Sequence, residues 1–229
     1  MANEIISYLE MCQREGVNLQ KGMNYQLSNG YSIILMSVRD NAPYRDRFED
    51  DGSTLIYEGH DVQRRNGRMT DPKSVDQPEF NPTGTLTENG KFHKAAQDYK
   101  KKLRLPEKVK VYEKIRPGIW SYNGVFELVD SWQEFDGQRK VFKFKLIAVE
   151  ESNSDNGQTT PTVHRRVIPT SVKFEVWKRD GGKCVVCGAM DELHYDHIIP
   201  YSKGGTSLKA ENIQLLCARH NLAKRDKIE

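Results

Sequence analysis

The chain has 229 residues, of which 29% are charged and 37% are hydrophobic, and its formal net charge at pH 7 is +3. This length predicts two domains, and because no apolar run is long enough to cross a bilayer, the sequence excludes a protein that spans a membrane with helices. No signal-peptide pattern is present, so we expect a soluble, cytosolic protein with reduced cysteines.

The first 150 residues are predicted to be mostly β structure. Two helices are expected, from Glu4 to Glu15 and from Lys91 to Leu103. The composition or the alternation that is typical of strands occurs in residues 31–37, 54–57, 109–115, 124–129 and 140–149. Asp136-Gly137 predicts a hairpin turn between the last two of these runs. Several strands with few helices favour a curved sheet or an open barrel.

Four motifs in this part of the chain resemble the SRA domain family, also called SAD/YDG, in their order and spacing. They are Tyr-Glu-Gly-His-Asp at 57–61, Asn-Gly-Lys-Phe-His-Lys-Ala-Ala at 89–96, the strand at 109–115, and Trp-Ser-Tyr-Asn-Gly-Val-Phe at 120–126. The family has Tyr-Asp-Gly where this chain has Tyr122-Asn123-Gly124. The resemblance covers residues 25 to 150. It implies a barrel-like module that flips 5-methyl- or 5-hydroxymethylcytosine out of duplex DNA and into a pocket.

Such a pocket needs aromatic faces for stacking and an acceptor for the 4-amino group of cytosine. Tyr44 and Tyr57 can supply the faces, although on sequence alone they fit core positions equally well. The resemblance implies that Asp46 is the acceptor, with Glu49 as the alternative. Glu58 completes the predicted pocket, at a position where the family usually has a smaller polar residue.

Residues 151–162 form a predicted linker between a domain of residues 1–150 and a domain of residues 163–229. The segment is polar and rich in turn formers, so it cannot bury enough apolar surface to order itself. The second domain carries 12 Lys and Arg against 8 Asp and Glu, whereas the rest of the chain carries 23 against 24. This basic surplus is expected of a domain that contacts phosphates, and a solvated basic face would show the same excess.

The spacing Cys184-x-x-Cys187 followed by Cys217-x-x-His220 predicts a structural zinc site. Tetrahedral zinc takes four thiolate or imidazole ligands when its role is structural, and two such pairs supply them. The alternative is a set of scattered buried cysteines. The fourth cysteine, Cys12, lies far away in sequence and is expected to be an ordinary half-buried thiol.

The region from Val176 to Lys224 resembles the HNH, or ββα-metal, nuclease family. The motifs that carry the resemblance lie at residues 176–188, 196–200, 203–206 and 212–224. It implies a strand at 194–197, a glycine turn, a second strand near 213–216 and a helix that starts around Cys217. The expected fold class is therefore α+β, with an SRA-like curved β-barrel and flanking helices followed by a zinc-stabilised ββα-metal domain.

The same resemblance implies the roles of the nuclease residues. His197 is the general base, which suits a neutral imidazole near pH 7, and Asn212 fixes the loop and orients the base. Asp196 and Asn221 hold a catalytic Mg²⁺ or Mn²⁺, since hard cations prefer oxygen ligands. Many family members have His where this chain has Asn221. Three further assignments are less central: Lys224 and Arg225 contact DNA phosphates, and His194 packs or touches phosphate.

Together the two resemblances imply a modification-dependent endonuclease similar to the type IV restriction enzymes of prokaryotes, with no role at a membrane. Its partner is double-stranded DNA that contains a modified cytosine. One HNH site cuts one strand, so a double-strand break would need two chains, as in a homodimer, or two encounters. Two alternatives stay open: a reader of modified DNA that does not cut, and an HNH nuclease that ignores modification.

Overall fold

The computed structural model describes residues 3–27, 30–39, 41–49, 52–62, 71–149, 167–200, 203–224 and 227. The predicted linker at 151–162 and Arg225 lie outside the described residues, and the domain limits stay a prediction. The described strands are β1 (Glu4–Ser7), β2 (Met23–Asn24), β3 (Ser32–Met36), β4 (Arg47–Glu49), β5 (Thr54–Glu58), β6 (Glu107–Arg116), β7 (Ile119–Phe135), β8 (Lys140–Ala148), β9 (Leu193–His197) and β10 (Ile213–Cys217). The helices are α1 (Tyr8–Glu15), α2 (Glu88–Lys100), α3 (Thr170–Arg179) and α4 (Ala218–Lys224). The chain is α+β, as predicted.

One sheet contains all the described strands, and it branches at β7. The main path runs β10-β9-β1-β7-β6-β3-β2, and a second arm runs from β7 through β8 and β5 to β4. The pairing of β7 with β8 shifts register between Leu128 and Asp130, and that of β6 with β7 shifts between Lys110 and Tyr112. Such irregularities bend strands and increase their twist, so the sheet curves as it passes β7.

The larger apolar core contains side chains from both arms of this sheet. Its aromatic side chains come from both arms of the sheet and from α2, and Tyr57, Phe92, Phe126, Phe142 and Phe144 are all buried. Helix α2 begins at Glu88 and is capped by Thr87, whose hydroxyl accepts from the backbone N–H of Gly90. The predicted helix of residues 91–103 is therefore present but starts earlier.

The predicted helix from Glu4 to Glu15 is wrong in its first turn, because Glu4–Ser7 is strand β1. Ser7 ends the strand and starts the helix: its hydroxyl accepts from Glu10 N–H, and the Glu10 side chain accepts from Ser7 N–H. This reciprocal capping box places the helix start at Tyr8. Strand β1 is stabilised by pairing on both sides, which no local pattern reveals.

The C-terminal region forms a smaller unit around its own core. β9 and β10 pair antiparallel from Leu193–Cys217 to His197–Ile213, and α3 and α4 pack against β10. Strand β1 joins this unit to the rest, because it pairs with β7 on one side and places Glu4 opposite His194 of β9 on the other. Within the described residues, no helix is long and apolar enough to cross a membrane.

Candidate functional site

The four predicted zinc ligands come together in the structure. The Sγ atoms of Cys184, Cys187 and Cys217 and a ring nitrogen of His220 all lie within 4.8 Å of one another. Cys217 ends β10 and His220 lies in the first turn of α4, while Cys184 and Cys187 lie in a turn whose backbone bonds to β10. Cys12 is a half-buried thiol outside this cluster, as predicted. The Cys₃His set fits structural zinc.

The chemistry of the thiols also favours a bound cation. Burial raises the pKa of the Cys184 thiol, but backbone hydrogen bonds from Cys217, Cys187 and Val186 outweigh it and lower the pKa to about 6. The pKa of Cys217 is lowered by a hydrogen bond from the His220 backbone but raised further by burial and by the neighbouring thiols. Such crowding of thiolates is relieved when a divalent cation binds them.

The candidate nuclease site lies at the C-terminal end of β9, which pairs with Ile213, whereas Cys217 of the cluster pairs with Leu193 at the other end of the strand. His197 is the last residue of the strand, and its Nε2 lies 2.8 Å from Oγ of Ser207. Ser207 is only 4% exposed, so the imidazole is held by a fixed partner. The sequence analysis missed Ser207, since a serine ten residues after the histidine has no distinctive motif.

Asn212 fixes the loop between β9 and β10, as the resemblance implies. Its side chain accepts from the backbone N–H of Ile199 and donates to the carbonyls of Ile199 and Thr206. Gly205 permits this closure, because a Cβ there would lie 1.8 Å from the Ile199 carbonyl oxygen and 2.9 Å from Asn212 Nδ2. The loop therefore holds Ser207, and through it His197, in place.

The predicted role of Lys224 as a DNA-backbone contact is wrong. The side chain is 1% exposed, and its Nζ lies 2.9 Å from Asp196 Oδ2 and 2.6 Å from the His197 carbonyl oxygen. It points into the protein because α4 packs against β9 and β10. Asn221 precedes Lys224 by three residues, so the two side chains occupy neighbouring positions on the surface of α4. The structure thus brings the two predicted metal ligands to neighbouring elements.

His194 has the packing role that was one of its two predicted roles. The ring is buried, and its Nδ1 has no hydrogen-bond partner among the described residues. Burial lowers the pKa of His194, so the imidazole is neutral near pH 7. A buried neutral ring where β9 meets β1 cannot contact a phosphate in this state.

A large cleft opens in the N-terminal part of the chain. Its volume is about 1810 Å³, above the roughly 300–1,000 Å³ that is typical of a small-molecule pocket. Tyr44, Asp46 and Tyr57 line it as predicted, and so do His60 and Asp61. The predicted base-binding residues therefore line a cleft that is larger than a typical small-molecule pocket.

His60 lies between the two tyrosines and was missed as a cleft residue. Its ring stacks on Tyr44, with centroids 5.1 Å apart and an interplanar angle of 14°, and its Nε2 lies 2.9 Å from the Tyr57 hydroxyl. Asn89 bonds both the N–H and the carbonyl of His60, which fixes its backbone. Burial lowers the pKa of His60 to about 4, so the ring is uncharged. Gly22 allows this packing, since a Cβ there would lie 2.7 Å from His60 Nε2.

Asp46 is buried at the cleft wall. It is 8% exposed, and its carboxylate accepts from the backbone N–H groups of Ser37 and Glu58. Burial raises the pKa of Asp46 to about 7, although both backbone hydrogen bonds act in the opposite direction. Glu49, the alternative acceptor, is not among the cleft-lining residues and forms an ion pair with Arg47. The structure therefore favours Asp46.

The prediction that Glu58 belongs to the pocket is wrong. Neighbouring residues of a strand point to opposite faces, so Glu58 faces away from the cleft that Tyr57 lines. Its carboxylate is buried in an ion pair with Lys143, its cross-strand partner on β8, at 2.8 Å. Glu58 also accepts from the backbone N–H of Arg45, and so supports the segment between Tyr44 and Asp46 from behind.

The part of the cleft lined by Trp120 combines an aromatic face with basic side chains. Lys114 Nζ lies 5.7 Å from the centre of the Trp120 ring, and Lys21 lines the same cleft. Acidic side chains also line the cleft, but Asp61 is paired with Arg139 and Lys73. Aromatic faces beside cations suit a nucleic-acid strand, whose bases stack and whose phosphates are anionic.

Residues 184–227 match the family model described as HNH endonuclease, which confirms the resemblance stated for this region. No curated protein is significantly similar to the chain. Among solved structures, the SUVH5 SRA domain in complex with hemimethylated CG DNA is 20% identical, with a TM-score of 0.43 over 66% of this chain and 89% of that chain.

The same SRA domain bound to fully hydroxymethylated CG DNA is 19% identical, with a TM-score of 0.41 over 66% of this chain and 90% of that one. Arabidopsis thaliana SUVH6 in complex with SAM is 16% identical, with a TM-score of 0.42 over 75% of this chain and 28% of that chain.

Proposed function

We propose that the chain is a DNA endonuclease that reads a 5-modified cytosine in its cleft and hydrolyses the DNA backbone at His197. The observation that carries the nuclease part is the arrangement of His197, Ser207 and Asn212 beside Asp196, inside the region that matches the HNH endonuclease family. All four residues are held by hydrogen bonds or ion pairs, so the site is preorganised.

The residues around Asp196 fit a hard divalent cation. Asp196 offers a carboxylate, and Asn221 on the facing helix offers an amide oxygen, which are the donors that Mg²⁺ and Mn²⁺ prefer. Lys224 engages Oδ2 of Asp196, and no described residue donates to Oδ1. When bound, such an ion supplies a Lewis acid for the scissile phosphate and for the leaving oxygen.

The chain's own residues supply the proton transfer. His197 takes a proton from the attacking water, and Ser207 holds the imidazole so that its plane is fixed relative to the phosphate. Lys224 bonds both the His197 carbonyl and the Asp196 carboxylate, and so sets the spacing between the base and the metal ligand. Asn212 positions the loop rather than the reacting atoms.

The cleft supplies recognition. An extruded cytosine can stack on the Tyr44 side of the cleft and donate its 4-amino group to Asp46, while phosphates run towards Lys21 and Lys114. His60 occupies the space between Tyr44 and Tyr57, so an incoming base either stacks against this neutral ring or displaces it. Both recognition and cutting follow from the residues of one chain.

Plasmid cleavage tests this proposal. Three otherwise identical plasmids, carrying cytosine, 5-methylcytosine or 5-hydroxymethylcytosine, are incubated with the protein and Mg²⁺ or Mn²⁺, with and without a chelator. We expect cation-dependent cleavage of at least one modified plasmid and much slower cleavage of the unmodified one. Equal cleavage of all three would leave a nuclease without modification dependence, and binding without cleavage would leave a reader.

A further inference from the structure

A buried polar cluster joins the two parts of the chain. Lys173 Nζ on α3 lies 2.6 Å from Glu113 Oε2 on β6 and 2.6 Å from Asn123 Oδ1 on β7. Both charged side chains of the Lys173–Glu113 ion pair are 0% exposed. Thr170, one turn earlier on α3, also donates to Glu113. A charged pair this deep is retained only where every partner is in place.

Asn123 accounts for the departure from the Tyr-Asp-Gly motif. Its Oδ1 accepts from Lys173 while its Nδ2 donates to Glu113 Oε2 at 3.0 Å. Lysine can only donate and an ionised carboxylate can only accept, so an amide satisfies both partners at once. An aspartate here could not donate to Glu113, and would place a second carboxylate beside the first. The residue at this motif position is therefore suited to docking α3.

Backbone contacts reinforce the same contact surface from two directions. Asn3 donates its N–H to the Tyr122 carbonyl and accepts from Tyr195 N–H, which links β7 to β9 through one residue. Val167, three residues before α3, donates its N–H to the Gly52 carbonyl and packs in the larger core. The two parts of the chain are thus joined by a continuous sheet, by a buried ion pair and by the packing of Val167 in the larger core.

We propose that this surface docks the nuclease unit rigidly against the N-terminal part of the chain. The surface consists of Glu113, Asn123 and β1 on one side and of α3 and β9 on the other. Docking, rather than the length of residues 151–162, then sets the distance from the recognised base to the cut. The effect on cut distance rests on the proposed function, whereas the docking of the two parts does not.

A chain broken in the linker tests the docking without any activity measurement. A protease site is inserted between Ser154 and Asp155, the purified protein is cleaved there, and the product is examined by native size-exclusion chromatography. We expect both fragments to elute together at the mass of the intact chain, with zinc retained. Separation of the fragments in native buffer would overturn the proposal.

Two substitutions on α3 test the cluster itself. Lys173→Met leaves the Glu113 charge buried without its cationic partner and should weaken association of the fragments on the order of a hundredfold or more. Lys178→Met, at an exposed position of the same helix, should have no effect. Unchanged association of Lys173→Met fragments would refute the role of the cluster. If Lys173→Met does not fold, the near-isosteric Thr170→Val should still weaken association measurably, and an unchanged affinity would count against the proposal.

The cut positions test the functional consequence. A duplex with a single modified cytosine is end-labelled, and the cuts are mapped for the wild type and for a chain with about ten Gly and Ser residues inserted after Ser154. We expect identical positions for both, and scattered positions once Lys173→Met is added to the longer linker. Cuts that shift with linker length would overturn the proposal. If the wild type shows no dependence on modification, the proposed function fails, while the broken-chain experiment still decides the docking.

Discussion

At the residue scale, His197 is oriented by a serine that no sequence motif identifies. Ser207 lies ten residues away, in a loop whose shape depends on three hydrogen bonds of Asn212. The base, its orienting partner and the loop that carries the partner form a short chain of contacts. Loss of the base and loss of its orientation should therefore have different kinetic effects.

Substitution of His197 by alanine should lower the cleavage rate by about 10²–10⁴ while DNA affinity and the unfolding temperature stay unchanged, because only the proton acceptor is removed. Ser207→Ala should lower the rate less, because the base is still present but less well oriented. Single-turnover cleavage and equilibrium binding on the same duplex measure both. A His197→Ala protein with near-normal turnover would refute the assignment of the base.

Asp46 should make binding of a modified duplex depend on pH. Burial raises its pKa to about 7, so the carboxyl is protonated below about pH 7 and ionised above it. The 4-amino donor of cytosine favours the ionised form, so binding releases a proton and affinity rises as the pH increases through 7. Titrations at pH 6 and 8 and one salt concentration, relative to non-specific DNA, should show this for the wild type and not for Asp46→Asn.

The same shift has a consequence for stability with the opposite sign. Because the pKa of Asp46 is raised on folding from 3.8 to about 7, its contribution to stability is complete below pH 3.8 and is lost as the pH rises through 7. The unfolding temperature of Asp46→Asn, minus that of the wild type, should therefore increase between pH 6 and pH 8. A difference that does not change with pH would show that Asp46 is already ionised at pH 6.

At the element scale, α4 connects the Cys₃His cluster to the proposed catalytic site of the C-terminal unit. His220 in its first turn joins the Cys₃His cluster, and Lys224 in its last turn reaches Asp196 and the end of β9. The helix has only seven residues, which is too short to be stable without such contacts. The position of α4, and therefore that of Asn221, depends on the contacts of His220 at one end and of Lys224 at the other.

Cys184→Ser should unfold the C-terminal unit, because a small metal-clamped unit derives much of its stability from the ion. Metal analysis of the wild type should find one zinc per chain, and the variant should lose it together with the near-UV circular dichroism of Trp177. Cys12→Ser, outside the cluster, is the matched control and should keep the zinc. An active protein without zinc would contradict the assignment.

Lys224→Met should impair cleavage without changing the salt dependence of DNA binding. A lysine that contacts a phosphate contributes about one unit to the slope of log K against log salt, and a buried lysine contributes none. The lost contacts to Asp196 and His197 should also lower the unfolding temperature, since a buried group loses its partner. A reduced salt slope for Lys224→Met would mean that Lys224 contacts a DNA phosphate.

At the scale of the whole molecule, the proposed nuclease site lies in the C-terminal unit and the cleft lies in the N-terminal part, and β1 pairs with one strand of each. One site of this kind faces one phosphodiester bond at a time. A chain that holds its DNA through a fixed recognition cleft must therefore dissociate, or meet a second copy, to cut the opposite strand.

Supercoiled plasmid with a single modified site should accumulate as the nicked circle before any linear product forms. The rate of nicking should be first order in protein, and the rate of linearisation should rise more steeply than first order if two copies cooperate. Gel analysis of time courses at several protein concentrations separates these cases. Linear product without a nicked intermediate, at the lowest protein concentration, would mean that two copies act together from the start.

The sequence by itself determined the features that depend on spacing over a few residues. Cys184-x-x-Cys187 and Cys217-x-x-His220 specify their cluster because each pair is closed by one turn of backbone. Strands β3 and β5 to β8 were predictable because alternation and apolar content are local, and β6 to β8 lie close to where they were expected. Asn212 was placed in the loop by a local motif, and its side chain bonds to the backbone of that loop.

Only the tertiary structure decided which side chains face which partner across distant elements. Glu58 lies outside the cleft because it pairs with Lys143 across the β5–β8 ladder. His60 lies in the cleft because Asn89 holds its backbone. Lys224 is buried by the packing of α4. Glu4–Ser7 is a strand because β7 and β9 pair with it on both sides. In each case the deciding partner lies more than 25 residues away, beyond the range of any helical or strand period.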